Sequence, residues 1–180
     1  MRVLTGIYKG KQISMPQGIR PTQNRVRKAI FDILGDVKDL NFLELFAGSG
    51  VVGFEALSQG VKELVLVEAK RACVEVITKN ILALGASNCQ IIPLDAESAI
   101  KSLHKNHQSF EVIFLDPPYY QDTAKNILQT LSAYDILAPD GFLVIQHFKK
   151  DSLLVRCPVF GLVKESKYGD TILSFYRKIG

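Results

Sequence analysis

From residue 40 onward apolar and polar positions follow two alternating rhythms. Short, mostly uncharged runs at Phe42 to Phe46, Glu63 to Val67, Gln90 to Pro93, Glu111 to Leu115 and Phe142 to Gln146 have the length and continuity of parallel strands buried on both faces. Between them lie stretches with helical spacing. The clearest is Arg71 to Leu84, where Val74, Ile77, Ile81 and Leu84 recur at steps of three and four and Gly85 marks the stop. Gly50 to Ser58, Ala96 to Leu103 and Thr123 to Ser132 are the other expected helices. Short connections and right-handed crossovers turn this order into an open, doubly wound α/β sheet.

Both ends depart from that rhythm. Pro158 to Lys164 and Thr171 to Arg177 are separated only by Glu165 to Asp170, too little chain for a parallel crossover, so an antiparallel hairpin is expected. Near the start, Val3 to Ile7 and Gln12 to Ser14 flank Tyr8-Lys9-Gly10-Lys11, which predicts a second hairpin. Thr22, after Pro21, is placed to cap a helix whose apolar stripe is Val26, Ala29, Ile30, Ile33 and Leu34. The chain therefore divides into an extension over residues 1–39 and a main domain over 40–180.

Composition narrows the class. With 180 residues, 47% hydrophobic and 22% charged, the chain is long enough for one sizeable core and unlike a disordered or fibrous sequence. Cys73, Cys89 and Cys157 are scattered, as expected of reduced thiols in a cytoplasmic protein. No apolar signal core follows Met1 and no 18 apolar residues run together, so neither export nor membrane insertion is expected.

Charge is unevenly distributed. Residues 1–31 carry Arg2, Lys9, Lys11, Arg20, Arg25, Arg27 and Lys28 with no acidic side chain, whereas the remainder holds 15 basic against 18 acidic residues. The net charge of +4 is thus a property of the N-terminal segment. Such a cluster is either a solvated surface or the footprint of a phosphate backbone.

Candidate chemistry begins where the first strand ends, in Leu43-Glu-Leu-Phe-Ala-Gly-Ser-Gly50-Val-Val-Gly53. Gly48, Gly50 and Gly53 satisfy GxGxxG between a strand and a helix, where small residues let backbone approach a nucleotide-type ligand. Glu68 closes the next strand and can receive both hydroxyl protons of a ribose. A dinucleotide would put its pyrophosphate at the helix N-terminus. S-adenosylmethionine would instead bring an ammonium group, for which Glu44 offers an anion, and Asp95 after the third strand can reach an adenine amine. One acid after each of three strands favours the methyl donor.

The fourth strand runs into Asp116-Pro-Pro-Tyr119. Two prolines remove two backbone donors and leave carbonyls to accept from a substrate NH2. Asp116 supplies a further acceptor, and Tyr119 can stack on a base. Acceptors on the hydrogens leave the amine lone pair facing a methyl group, and alignment of this kind can contribute roughly 7 to 11 kcal/mol.

Taken together, Arg20-Pro-Thr22 with Arg25-Val-Arg27, LELFAGSG, Glu68, Asp116 to Tyr119 and Tyr168-Gly-Asp-Thr171 resemble the RsmD-type methyltransferases across nearly the whole chain. The resemblance implies a Rossmann-like class I methyltransferase fold of seven strands, the last antiparallel, with the N-terminal hairpin and helix as an extension. It implies S-adenosylmethionine-dependent methylation of a guanine N2 in 16S ribosomal RNA, on an assembled or assembling small ribosomal subunit, by a monomer. Cofactor roles then fall on Glu44, Phe46, Gly48, Ser49, Gly50, Glu68, Ala69, Asp95, Ala96 and Asp116. The catalytic motif is Asp116, Pro117, Pro118 and Tyr119, and RNA contacts are expected at Arg20, Thr22, Arg25, Arg27 and Tyr120. Two positions depart from the pattern: Gln146 stands where an acid is frequent, and Lys28 where a glutamate is frequent.

Rival readings remain. An adenine-N6 methyltransferase shares DPPY, but a DNA enzyme of that kind needs a recognition insert for which 180 residues leave no room. A non-catalytic RNA-binding assembly factor would have no use for the tetrapeptide, and a nicotinamide oxidoreductase none for Glu44. His104 and His107 sit at an expected helix end, without further ligands for a metal. His147 follows the fifth strand as a strand-end residue or a substrate contact.

Overall fold

Side-chain alternation along the strands decides the layers. In the computed structural model, which describes residues 1–19, 21–118, 123–151, 153 and 157–179, the chain forms α1 (Asn24–Leu34), β1 (Asn41–Leu45), α2 (Val51–Ser58), β2 (Glu63–Val67) and α3 (Arg71–Leu84). There follow β3 (Cys89–Ile92), α4 (Ala96–Lys105), β4 (Phe110–Leu115), α5 (Thr123–Ala133), β5 (Leu137–Phe148), β6 (Phe160–Tyr168) and β7 (Thr171–Lys178). The strands make one sheet in the order β3-β2-β1-β4-β5-β7-β6, and β7 runs antiparallel to both of its neighbours. This is the expected seven-stranded architecture with its antiparallel last strand.

One face of the sheet, with Leu43, Leu45, Val65, Ile113, Leu115 and Ile145, packs against α4 and α5. The other, with Phe42, Leu64, Leu66, Val112, Phe114 and Val144, packs against α1, α2 and α3. Continuing the second alternation by one step at each carboxyl end reaches Glu44, Glu68, Asp116 and Gln146. Period two therefore places four polar side chains on one face, above the core that α1 to α3 cover.

β5 begins earlier than the apolar run suggests. Phe110 pairs with Leu137 ahead of a register shift, and pairing resumes at Val112 with Phe142, so Pro139-Asp-Gly141 lies inside the strand at an irregularity. The N-terminal hairpin is also slighter than expected, with a single antiparallel bridge between Arg2 and Gln12. Val3, Gly10 and Ile13 N–H donate across the hairpin to the Lys11, Val3 and Met1 carbonyls, but the next donors along its first arm go to α2: Leu4 and Thr5 N–H donate to Glu55 at 2.9 and 2.8 Å, and Ile7 N–H donates to the Ser58 carbonyl at 2.8 Å. Gly6 makes this contact possible, because a Cβ there would lie 1.8 Å from the Ser58 oxygen and its φ is +72°. Val3, Ile13, Val26 and Ile30 join the core on the α2 face, so the extension shares its apolar interior with the sheet. No described helix is long and apolar enough to cross a membrane.

Thr22 does not cap the first helix. α1 starts at Asn24 behind Gln23, without a side-chain cap, and the Thr22 side chain is buried against Asp116.

Candidate active site

In an open α/β sheet ligands settle where neighbouring crossovers diverge to opposite faces. Here that point lies between β1 and β4, and two cavities open at its carboxyl end. One, of about 240 Å³, is lined by Ile19, Glu44, Phe46, Gly48, Ser49, Glu68 and Lys70 among others. The other, of about 760 Å³, is lined by Arg25, Pro117, Gln146, Phe148 and the turn from Tyr168 to Thr171. Pro21, Thr22, Asp116 and Pro118 line both, so these residues are the shared wall.

The glycine-rich turn organises the acids of the smaller cavity. Gly48 N–H donates to Glu68 Oε2 at 2.8 Å, and Lys70 N–H donates to Glu68 Oε1 at 2.8 Å. Gly53 N–H donates to Glu44 Oε2 at 2.7 Å. The third glycine is required by close approach, since a Cβ on Gly53 would stand 2.7 Å from Glu44 Oε2 and 2.7 Å from Leu66 Cδ2. Phe46, at the exit of β1, has φ +59°, an uncommon conformation for a bulky residue that turns the chain into the loop.

Burial governs the electrostatics. Desolvation pushes the Glu44 carboxyl up to about 8; the Gly53 N–H opposes this, Asp116 and Glu68 add to it by like charge, and Arg27 opposes it. Asp116 is raised to about 7, again chiefly by desolvation, with the side chains of Gln146 and Thr22 favouring the charged form. Gln146 Nε2 donates to Asp116 Oδ2 at 2.8 Å, while Gln146 Oε1 is buried without a partner among the described residues. The cavities can therefore take a cationic or hydroxyl-bearing ligand on one side and a hydrogen-bond donor at Asp116 on the other.

Most of the residues singled out in the sequence converge here. Glu44, Phe46, Gly48, Ser49, Glu68, Asp116, Pro117, Pro118, Thr22 and Arg25 line one cavity or both. Gly50 sits behind the turn against Phe54 and Leu66, and Ala69 is exposed beyond Glu68. Asp95 and Ala96 begin α4 outside the lining, with Asp95 Oδ1 accepting the Ser98 N–H at 2.9 Å as a helix cap. Arg20, Tyr119 and Tyr120 lie outside the described residues.

Arg27 corrects an expectation. It is fully buried and ties Arg2, Asn24 and Glu55 together, because its place on α1 faces α2 and the extension rather than solvent. It cannot contact RNA. His147 is buried as well, with Nε2 2.9 Å from Ser174 Oγ on β7, which removes it as a substrate contact. His104 Nδ1 lies 3.1 Å from the Asp135 carbonyl.

Ile19 and Lys70 line the smaller cavity although no sequence pattern marks them, since the approach of the extension that brings Ile19 there is a tertiary event. Gln146 has a legible signal: it is the first polar residue after the apolar run Phe142 to Ile145 of β5 and falls on the same face as Val144 at the strand's end.

Similarity to known proteins runs along the whole chain. The family described as "Conserved hypothetical protein 95" matches residues 1–177. The protein YlbH of Bacillus subtilis (strain 168) is 33% identical over 184 residues, covering 100% of both chains. The Escherichia coli (strain K12) protein named "Ribosomal RNA small subunit methyltransferase D" is 28% identical, covering 99% of this chain and 90% of that one. Among solved structures, a hypothetical protein of Thermus thermophilus superposes with a TM-score of 0.86 at 32% identity, covering 99% of each chain.

Proposed function

Because the chain belongs to the RsmD-type methyltransferase family and has its class I fold, we propose that it transfers a methyl group from S-adenosylmethionine to the exocyclic N2 amine of a guanine in 16S ribosomal RNA. The substrate in this reading is the small ribosomal subunit, assembled or assembling, and the enzyme acts as a monomer. The observation that carries it is the shared wall: Asp116 and Pro118 border both a cavity with two buried acids and a larger one open to a base.

Residues of the smaller cavity fit the cofactor by donor type. Glu44, ionised, is the partner for its ammonium, and Glu68, already fixed by two backbone donors, has lone pairs left for ribose hydroxyls. When bound, S-adenosylmethionine supplies an electrophilic methyl on a sulfonium. Everything else is done by the chain. Asp116 accepts one hydrogen of the amine, and the proline-flanked backbone offers a carbonyl for the other. With both hydrogens held by acceptors, the nitrogen lone pair is left facing the shared wall. As the N–C bond forms and the S–C bond breaks, the nitrogen must lose a proton, and a carboxylate poised near 7 is suited to take it.

Nucleoside mapping of 16S ribosomal RNA by mass spectrometry, in cells with and without this protein, tests the reading. One N2-methylguanine should disappear with the gene and return with the wild-type protein. An unchanged map, or loss of a methyl from adenine, overturns it.

A further inference from the structure

Guanine, adenine and cytosine all present an exocyclic amine, so acceptors at Asp116 cannot tell them apart. What differs is the ring nitrogen beside the amine on the Watson–Crick edge. In guanine N1 carries a hydrogen and is a donor, whereas adenine N1 and cytosine N3 are bare acceptors.

Gln146 lies at that level. It ends the inward face of β5, lines the larger cavity, is 5% exposed, and has its amide nitrogen committed to Asp116 Oδ2 at 2.8 Å. With Asp116 ionised, that bond fixes which end of the amide is which, because a carboxylate needs a donor. The other end, Oε1, is an acceptor buried without a partner among the described residues. A buried acceptor left unmatched is costly, and a site containing one favours the ligand that completes it.

We propose that Gln146 is the specificity-determining residue of this site, its Oε1 accepting the N1–H of guanine while Asp116 beside it holds the N2 amine. An unprotonated ring nitrogen at the same place sets two acceptors against each other and leaves Oε1 unpaired. The glutamine thus reads the base and steadies the carboxylate that holds its amine. This inference rests on the proposed amine-binding role of Asp116.

The test uses 16S ribosomal RNA, free or in reconstituted small subunits, with either guanine or 2-aminopurine at the mapped target. 2-Aminopurine keeps the amine, replaces N1–H by an acceptor and lacks O6, the last a loss that wild type and the Gln146 variants share. Wild-type enzyme should prefer guanine by roughly tenfold to a hundredfold in kcat/KM, the scale of one good base-edge contact. Gln146→Met, which keeps the length and loses the acceptor, should bring that ratio close to one, with most of the fall on guanine. Gln146→Glu, which keeps an acceptor, should retain the preference even if its overall rate drops. A general disturbance of Asp116 would lower both substrates together and leave the ratio alone. An unchanged ratio in Gln146→Met, its loss in Gln146→Glu, or no wild-type preference would each overturn the proposal. A wild-type enzyme that methylates no guanine amine at all would instead overturn the underlying function, and the nucleoside map reads that separately.

Discussion

Arg27 Nε sits 3.5 Å from a Glu55 carboxylate oxygen, and neither side chain reaches solvent. The pair joins α1 to α2, and each partner also holds the N-terminal segment: Arg27 Nη2 donates to the Arg2 carbonyl at 2.7 Å, and Glu55 receives Leu4 N–H, Thr5 N–H and the Thr5 hydroxyl. The basic extension is therefore anchored by a buried charge of its own, and its Ile19 and Thr22 line the smaller cavity.

Removing one member of a buried pair leaves the other charge without compensation, which typically costs about 3–5 kcal/mol. Glu55→Ala also orphans the donors on Leu4 and Thr5, so it should cost at least that much in urea unfolding. Native-state hydrogen exchange at Leu4 and Thr5 should accelerate at the same time. Unchanged exchange there would mean that Glu55 does not hold the extension.

Glu44 makes ligand binding and stability depend on pH in opposite senses. Its carboxyl is raised to about 8 in the free protein, whereas an unfolded glutamate ionises near 4.3, so between these values the folded state holds a proton that the unfolded state has lost. Stability of the free protein should therefore fall as pH rises through that window, by up to about 1.4 kcal/mol per unit from this group. A ligand ammonium needs the ionised form, so affinity for S-adenosylhomocysteine should rise from pH 6 to 8. Calorimetry in buffers of different ionisation heat should detect proton release on binding at pH 7. Glu44→Gln should weaken binding and remove most of both pH dependences.

Asp116 gives turnover its own pH profile. In the proposed role the group can take the amine proton only when ionised, and burial raises its carboxyl to about 7, so single-turnover rates should climb from pH 6 to 8 and then level off. Asp116→Asn keeps the shape, cannot take a proton, and should lower the rate roughly a hundredfold or more while flattening the profile over that range. Quench-flow measurement with saturating cofactor and RNA separates this from binding.

Much of this site is written in strand periodicity. Glu44, Glu68 and Asp116 are readable as chemistry because each interrupts or closes an apolar run, and the glycine spacing between two of them says which end of the sheet to inspect. The same alternation puts Gln146 on their face, although its partnership with Asp116 depends on how β4 and β5 register, which no local pattern states. Thr22 and Arg27 illustrate the reverse. A threonine before a helix reads as a cap and an arginine in a basic cluster reads as surface, yet the fold turns one onto Asp116 and the other onto Glu55. Both outcomes follow from where the extension docks on α2, a long-range contact made by backbone donors that carry no side-chain signature.

That docking divides the basic residues into those that can meet RNA and those that cannot, and salt dependence can tell them apart. Arg25 is exposed on the wall of the larger cavity, its Nη2 3.4 Å from the Tyr168 carbonyl, whereas Arg27 is enclosed. Each lost phosphate contact should flatten the plot of log affinity against log salt by about 0.7 to 0.9. Arg25→Ala should therefore weaken RNA binding and reduce the slope by about that amount, without lowering stability appreciably. Arg27→Met should lower stability yet leave the slope of the folded fraction at its wild-type value. Filter binding or fluorescence anisotropy from 50 to 200 mM salt, at a temperature where both variants are folded, gives the comparison. A slope reduced by Arg27→Met and untouched by Arg25→Ala would mean that RNA approaches the molecule from elsewhere.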